Sequence, residues 1–287
     1  MNGKEFFRLQ HLQNNKFPVP KEIYFLEDTN TLATREEGIP LNEEIRKNNK
    51  FFYNYLISVS NLIEDFNQKM QDIPENLICT DDSHTAHPIK NFTSRFINTQ
   101  SDASNRFLLS NSQDIRNLDM PEDTRNSFIN LYYYIRTIID SYYNRINNIK
   151  DDVYSDKEVA YGDVKPENII VSTKGELSLI DPFFIKGSKY FDFTKFSSRL
   201  LLEGVTPSKA IDFLSFNGNG DLKKPVYRGL SERELINIDM ANILSSYLGR
   251  FLDGEKEYRL IDSLSNKRVS DMWRKSLNEG VHKEIFY

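Results

Sequence analysis

Apolar positions recur every seven residues from Asn42 to Met70, at Ile45, Phe52, Val59 and Phe66, with Tyr55, Leu62 and Met70 on the same face. This spacing predicts one long amphipathic helix with a charged back. Asn42 can cap its start, and Glu43 and Glu44 stand near the positive end of the helix dipole. A second helical run extends from Pro121 to Ile149 through Phe128, Leu131, Ile135, Ile138, Tyr142 and Ile146. The run Tyr132-Tyr133-Tyr134 inside it reads as helix packing rather than an aromatic recognition surface. Residues 4–13 suit a short helix ended by Pro18 and Pro20, and 193–202, 207–215 and 232–252 read as further helices. Residues 256–278 add one or two more. Strands are expected at Glu22–Leu26 and 31–34 around a turn at 27–30. A hairpin is expected where Ile169–Ser172 and 177–180 flank Lys174-Gly175. Residues 71–118 are polar and weakly periodic and read as an irregular insertion.

Composition narrows the classes. The 287 residues carry 37 Lys+Arg against 42 Asp+Glu, a formal net charge of −5, with 39% apolar and 28% charged residues. That is a globular chain with material for a sizeable core. Slight acidity argues against a nucleic-acid partner, which calls for clustered Lys and Arg. The single Cys79 excludes an internal disulfide framework and a cysteine-only zinc site. His84 and His87 lie near Cys79, Asp81 and Asp82, but a polar loop is the simpler reading, since structural zinc needs regular geometry. No apolar stretch reaches about 18 residues, and the start lacks a signal-peptide core, so a cytoplasmic protein without a membrane partner is expected.

Residues 161–184 concentrate the chemistry. Asp163 is followed by Lys165 and Asn168, and a predicted hairpin then returns Asp181 to the same end. The set suits phosphoryl transfer from a magnesium nucleotide, which needs positioning and charge neutralisation more than covalent help. Asp163 can orient an attacking hydroxyl and accept its proton, and Lys165 can reach the transferring phosphate. Asn168 and Asp181 offer hard oxygens to magnesium, which takes few carboxylates alongside phosphate and water.

The stretch Gly162-Asp163-Val164-Lys165-Pro166-Glu167-Asn168-Ile169-Ile170-Val171 resembles the catalytic loop of the protein-kinase-like superfamily. Gly162 before the Asp, and Ile180-Asp181-Pro182 in place of Asp-Phe-Gly, look more like its aminoglycoside and choline phosphotransferase branch. Tyr190-Phe191-Asp192-Phe193-Thr194-Lys195 is similar to the Tyr-Asp-Leu-Ala-Lys stretch of that branch, where the Asp buttresses the catalytic loop. The resemblance implies an α+β fold with a predominantly helical C-lobe and a small remnant N-lobe sheet. Residues 1–40 would be that remnant and the hinge, and 41–287 the C-lobe with the 71–118 insertion. It also implies that Thr34, Arg35, Glu36 and Glu37 form a hinge holding adenine through backbone bonds, with ATP and Mg2+ as cofactors. The likeness spans roughly residues 4–66 and 125–252.

The sequence departs from the family in two places. No glycine-rich phosphate loop and no strand lysine precede the hinge, and Gly218-Asn219-Gly220 is too short and comes too late. Three explanations compete: a partner protein completes the N-lobe, nucleotide binds in a reduced manner, or the chain is a pseudokinase kept for binding and regulation. Glu5 is the candidate for the ion-pairing Glu of the N-lobe helix. Tyr161 stands where kinases place His, and its ring is expected to pack. The acceptor is a hydroxyl of a small molecule or a protein: Gly162 and Asp181-Pro182 favour the first, and Lys165-Pro166-Glu167-Asn168 the second.

Overall fold

The structure, a computed structural model, describes residues 2–26, 31–35, 38–47, 52–70, 72–79, 159–186, 190–203, 205 and 213, with single helical positions at 122, 125, 126, 129, 238 and 239. Several expectations lie outside the described residues: Glu36 and Glu37 of the hinge, His84 and His87, Tyr132-Tyr133-Tyr134, Gly218-Asn219-Gly220 and residues 256–278. The chain divides into two compact units. The first holds Met1–His87, Tyr154–Leu200 and Ser208–Pro225, and the second holds Pro88–Val153, Leu201–Pro207 and Val226–Tyr287. In the second unit, Ile238 and Asp239 are helical and buried. Among the described residues no helix is long and apolar enough to cross a membrane.

The first unit opens with α1 (Asn2–Asn14). Leu9 and Leu12 bury its inner face. Its end closes when the Lys16 N–H donates to Gln13 O at 3.0 Å and the Phe17 N–H to Leu12 O at 3.0 Å. Lys16, at φ 57°, takes the left-handed place that glycine usually fills, so the helix stops before Pro18 rather than at it. Strands β1 (Glu22–Leu26) and β2 (Thr31–Arg35) pair antiparallel in the register Glu22↔Arg35 to Leu26↔Thr31. The Phe6 and Phe25 rings stack at 5.6 Å, joining this ribbon to α1.

A third strand, β3 (Gly38–Pro40), appears where the sequence suggested only punctuation. Helices α2 (Leu41–Lys47) and α3 (Phe52–Lys69) occupy the span predicted as one helix, and residues 48–51 between them lie outside the described set. The helix begins one residue before the expected cap, and Asn42 Oδ1 accepts the Glu43 N–H at 3.0 Å. Of the seven-residue stripe, Ile45, Val59 and Phe66 are buried, as are Leu56, Leu62, Ile63 and Met70 around it.

Strands β4 (Val159–Ala160), β5 (Ile169–Ser172), β6 (Leu177–Leu179) and β7 (Ile185–Lys186) then frame the chemistry-bearing segment. Strand β5 lies between β3 and β6, and β4 pairs with β7. The close approach of β3 requires Gly38, because a Cβ there would stand 2.4 Å from Val171 O. Helix α4 (Tyr190–Leu202) starts three residues earlier than expected and carries Asp192 in its first turn. Phe191, Phe193, Phe196 and Leu200 bury against the core, and the Phe196 and Phe213 rings meet at 4.8 Å.

Candidate active site

The loop after β4 is held from two sides. Tyr161 is fully buried, with its ring 5.4 Å from Phe66 and 6.1 Å from Phe184. Its hydroxyl donates to Ile180 O at 3.1 Å. The ring therefore packs as the sequence suggested, with the polar tip satisfied. From α4, the fully buried Asp192 carboxylate accepts the N–H groups of Tyr161 and Gly162, each at 2.8 Å. Burial pushes the Asp192 carboxyl up to about 7, against the pull of those two amides and of Lys195. Gly162 sits at φ 89°, and a Cβ there would press within 3.2 Å of the Ile185 side chain. The backbone thus turns at the one residue that can turn there, and Asp163 follows.

Hairpin register explains why Asp181 returns to this place. Ile169 pairs with Leu179, and the Ile180 N–H donates to Asn168 O at 2.9 Å. Asp181 follows one residue beyond. The 3₁₀ turn Pro166–Asn168, with Pro at its start, points Asn168 inward. Asn168 Nδ2 donates to Asp163 Oδ2 at 2.8 Å and to Asp163 O at 3.1 Å, and stands 3.4 Å from Asp181 Oδ2. Lys165 Nζ reaches Asp163 Oδ2 at 2.7 Å. The four residues singled out in the sequence, Asp163, Lys165, Asn168 and Asp181, are therefore brought together.

Two further residues belong to this constellation and were not singled out in the sequence. Lys195, on α4, forms an ion pair with Asp163 Oδ1 and donates to Gly162 O at 3.2 Å. It lies in the stretch that carries Asp192, one helical turn on, which is the signal that could have found it. Arg8, on α1, is buried and donates to Leu77 O at 2.7 Å and Pro182 O at 3.2 Å. Those bonds span 69 and 174 residues, so no local pattern reports them.

The electrostatics separate the two carboxylates. Burial pushes the Asp163 carboxyl up, but Lys195 and Lys165 outweigh it and hold the group well below the usual carboxylate range. Asp181 goes the other way: burial and the neighbouring Asp163 charge raise it against Lys165, the Asn168 amide and Lys195. Glu5, the candidate ion-pairing residue, is raised by burial and by the charge of Asp181, with Arg8 opposing. Among the described residues no group of three His, Cys, Asp or Glu gathers into a protein-only metal cage.

Of the hinge residues, Thr34 and Arg35 end β2. The chain then enters β3, whose Pro40 pairs with Ile170, two residues from Asn168. The stretch that contains the predicted hinge thus leads directly onto the hairpin that bears the site.

No protein-family model and no curated protein matches the sequence. Solved structures do resemble it in fold. The AMP-bound complex of spectinomycin phosphotransferase aligns with a TM-score of 0.57 at 10% identity, covering 96% of this chain and 84% of that one. Choline kinase LicA from Streptococcus pneumoniae aligns with a TM-score of 0.50 at 13% identity, covering 96% of this chain and 81% of that one. The α+β architecture, the loop buttressed from α4 and these two likenesses agree, and the chain has the protein-kinase-like fold shared by small-molecule phosphotransferases.

Proposed function

We propose that this chain is a phosphotransferase that moves the γ-phosphoryl group of ATP, with Mg2+, to a hydroxyl. The observation that carries the reading is the convergence of Asp163, Lys165, Asn168 and Asp181 on one spot. The chemistry of the donor set fits magnesium. Asn168 uses its Nδ2 on Asp163, and its carbonyl oxygen is a hard ligand outside those bonds. Asp181 Oδ2 lies 3.4 Å from Asn168 Nδ2, so a hard carboxylate oxygen stands beside the Asn168 amide, the kind of ligand a divalent cation takes. When bound, the metal neutralises charge on the nucleotide phosphates.

The protein's own groups divide the remaining work. Asp163, kept ionised by its two lysines, is a weak base but a well-placed acceptor for the incoming hydroxyl. That suffices, because a loose phosphoryl transition state asks for positioning more than for base strength. Lys165 turns from Asp163 toward the transferred phosphate, while Lys195 stays on Oδ1 and keeps the carboxylate in place. The backbone from Thr34 to Glu37 receives the adenine, in line with a fold neighbour that holds AMP. Both fold neighbours act on small molecules by name, and with Gly162 and Asp181-Pro182 this favours a small-molecule acceptor.

The test is transfer of label from γ-labelled ATP to a panel of small hydroxyl compounds and to protein hydroxyls. Wild type is expected to label at least one acceptor, and Asp163→Asn to lose about 100-fold or more of that rate. ATP binding without transfer to any acceptor would support the pseudokinase instead.

A further inference from the structure

We propose that Arg8 is a positioning residue for the Asp181 carboxylate, acting from α1 through the backbone of residues 181–184; this rests on the reading of Asp181 as a metal ligand. The segment is strained. Asp181 lies at φ 58° and Phe184 at φ 29°, both in the left-handed region. Such conformations persist only where the surroundings over-determine them.

The restraints divide into two ends. At the far end, Tyr161 O accepts the N–H groups of Phe183 at 3.1 Å and Phe184 at 2.9 Å, and Phe184 O accepts the Cys79 N–H at 2.7 Å. At the near end, Pro182 follows Asp181 and has no N–H to give. Its carbonyl is the handle next to the ligand, and Arg8 Nη1 takes it at 3.2 Å. Arg8 Nε meanwhile holds Leu77 O at 2.7 Å. The guanidinium lies 5.5 Å from the Phe183 ring centre and 5.9 Å from that of Phe184. One planar, multi-donor group thus binds two separate carbonyls and faces two rings, which a lysine ammonium cannot reproduce.

A purely structural cation could be exchanged for an apolar side chain of similar size with little consequence at the site. Arg8 differs because its grip falls one residue from the carboxylate. Outer-shell partners of this kind typically govern about 10–100-fold in metal affinity.

The experiment titrates ATP, with and without Mg2+, into wild type, Arg8→Met, Asp181→Ala and the double variant, and records the thermal unfolding of each. Arg8→Met is expected to lose about 10–100-fold of the Mg2+-dependent affinity while binding metal-free ATP as wild type does. The double variant is expected to be no weaker than Asp181→Ala alone. Arg8→Lys should recover part of the loss, and it carries the comparison if Arg8→Met does not fold. Equal losses with and without Mg2+, or a loss that adds to that of Asp181→Ala, would overturn the positioning role and leave the metal site standing. An Asp181→Ala variant that binds ATP with Mg2+ as wild type does would overturn the metal site itself, and this inference with it.

Discussion

The loop that bears Asp163 and the β1–β2 ribbon differ in how their backbones are held. In the ribbon, five residue pairs form a ladder, yet Tyr24 and Leu26 are each 54% exposed. A two-stranded ribbon is marginal by itself, so this one leans on α1 through Phe6 and Phe25. Around the Asp163 loop the strands are shorter, only two to four residues each. There the backbone is fixed by side chains that arrive from far along the chain: Asp192 on two amides, Tyr161 on Ile180, Arg8 on Pro182 and Lys195 on Gly162. The hairpin register returns Asp181 to the site, and long-range side-chain bonds to backbone then fix the loop around it. Buried networks of this kind are stiff when satisfied and costly when one member is removed.

The comparison breaks most sharply at Asp192. Asp192→Ala orphans two buried N–H groups at about 1–3 kcal/mol each, partly offset because a buried carboxyl pushed up to about 7 is itself costly to ionise, and the expected net loss is about 3 kcal/mol by chemical denaturation. An effect below about 1 kcal/mol would mean that the loop does not depend on this buttress.

Lys195→Met should cost less, about 2 kcal/mol at neutral pH, because the pair it breaks is buried but keeps some access to water. This loss carries a pH signature. The Asp163 carboxyl lies lower in the folded protein than in the unfolded chain, so its contribution is present above the unfolded value of about 3.9 and fades as pH falls through the folded one. Wild type should therefore lose stability more steeply on acidification than Lys195→Met, and the two should converge in strongly acid solution. Unfolding curves across an acid series would show it; a constant difference at every pH would remove Asp163 as the partner that matters.

The ribbon supplies the small end of the scale. Leu26→Ser, on its exposed face, should change stability by no more than about 0.5 kcal/mol. A larger loss would show that the ribbon is held as tightly as the loop.

The same difference explains what could be read from the sequence. The 161–184 string, the hairpin at Lys174-Gly175, the strand at Glu22–Leu26 and the stripe on α3 are local patterns, and each appears where its spacing placed it. Asp192 was legible because it lies in a short stretch with a family likeness. Strand β3 was not: a Gly-Ile-Pro tripeptide reads as a break, and only its partner β5 makes it a strand. Arg8 was hidden for the same reason, since its partners at Leu77 and Pro182 are distant in sequence. Cys79 looked like part of a loose insertion, yet its N–H is tied to Phe184 O beside the site. Periodicity records which face an element buries, whereas the bonds that aim Asp163 and Asp181 join elements that only the fold brings together.

The central claim is that Asn168 and Asp181 hold a metal that carries the nucleotide to Asp163. The most direct test is a crystal structure of the chain with Mn2+ and a non-hydrolysable ATP analogue, with the metal placed by anomalous scattering. The account predicts metal bonded to Asp181 carboxylate and Asn168 carbonyl oxygens, with the γ-phosphate facing Asp163. Nucleotide bound with its metal away from both residues, or no nucleotide in the site at saturating concentration, would contradict it.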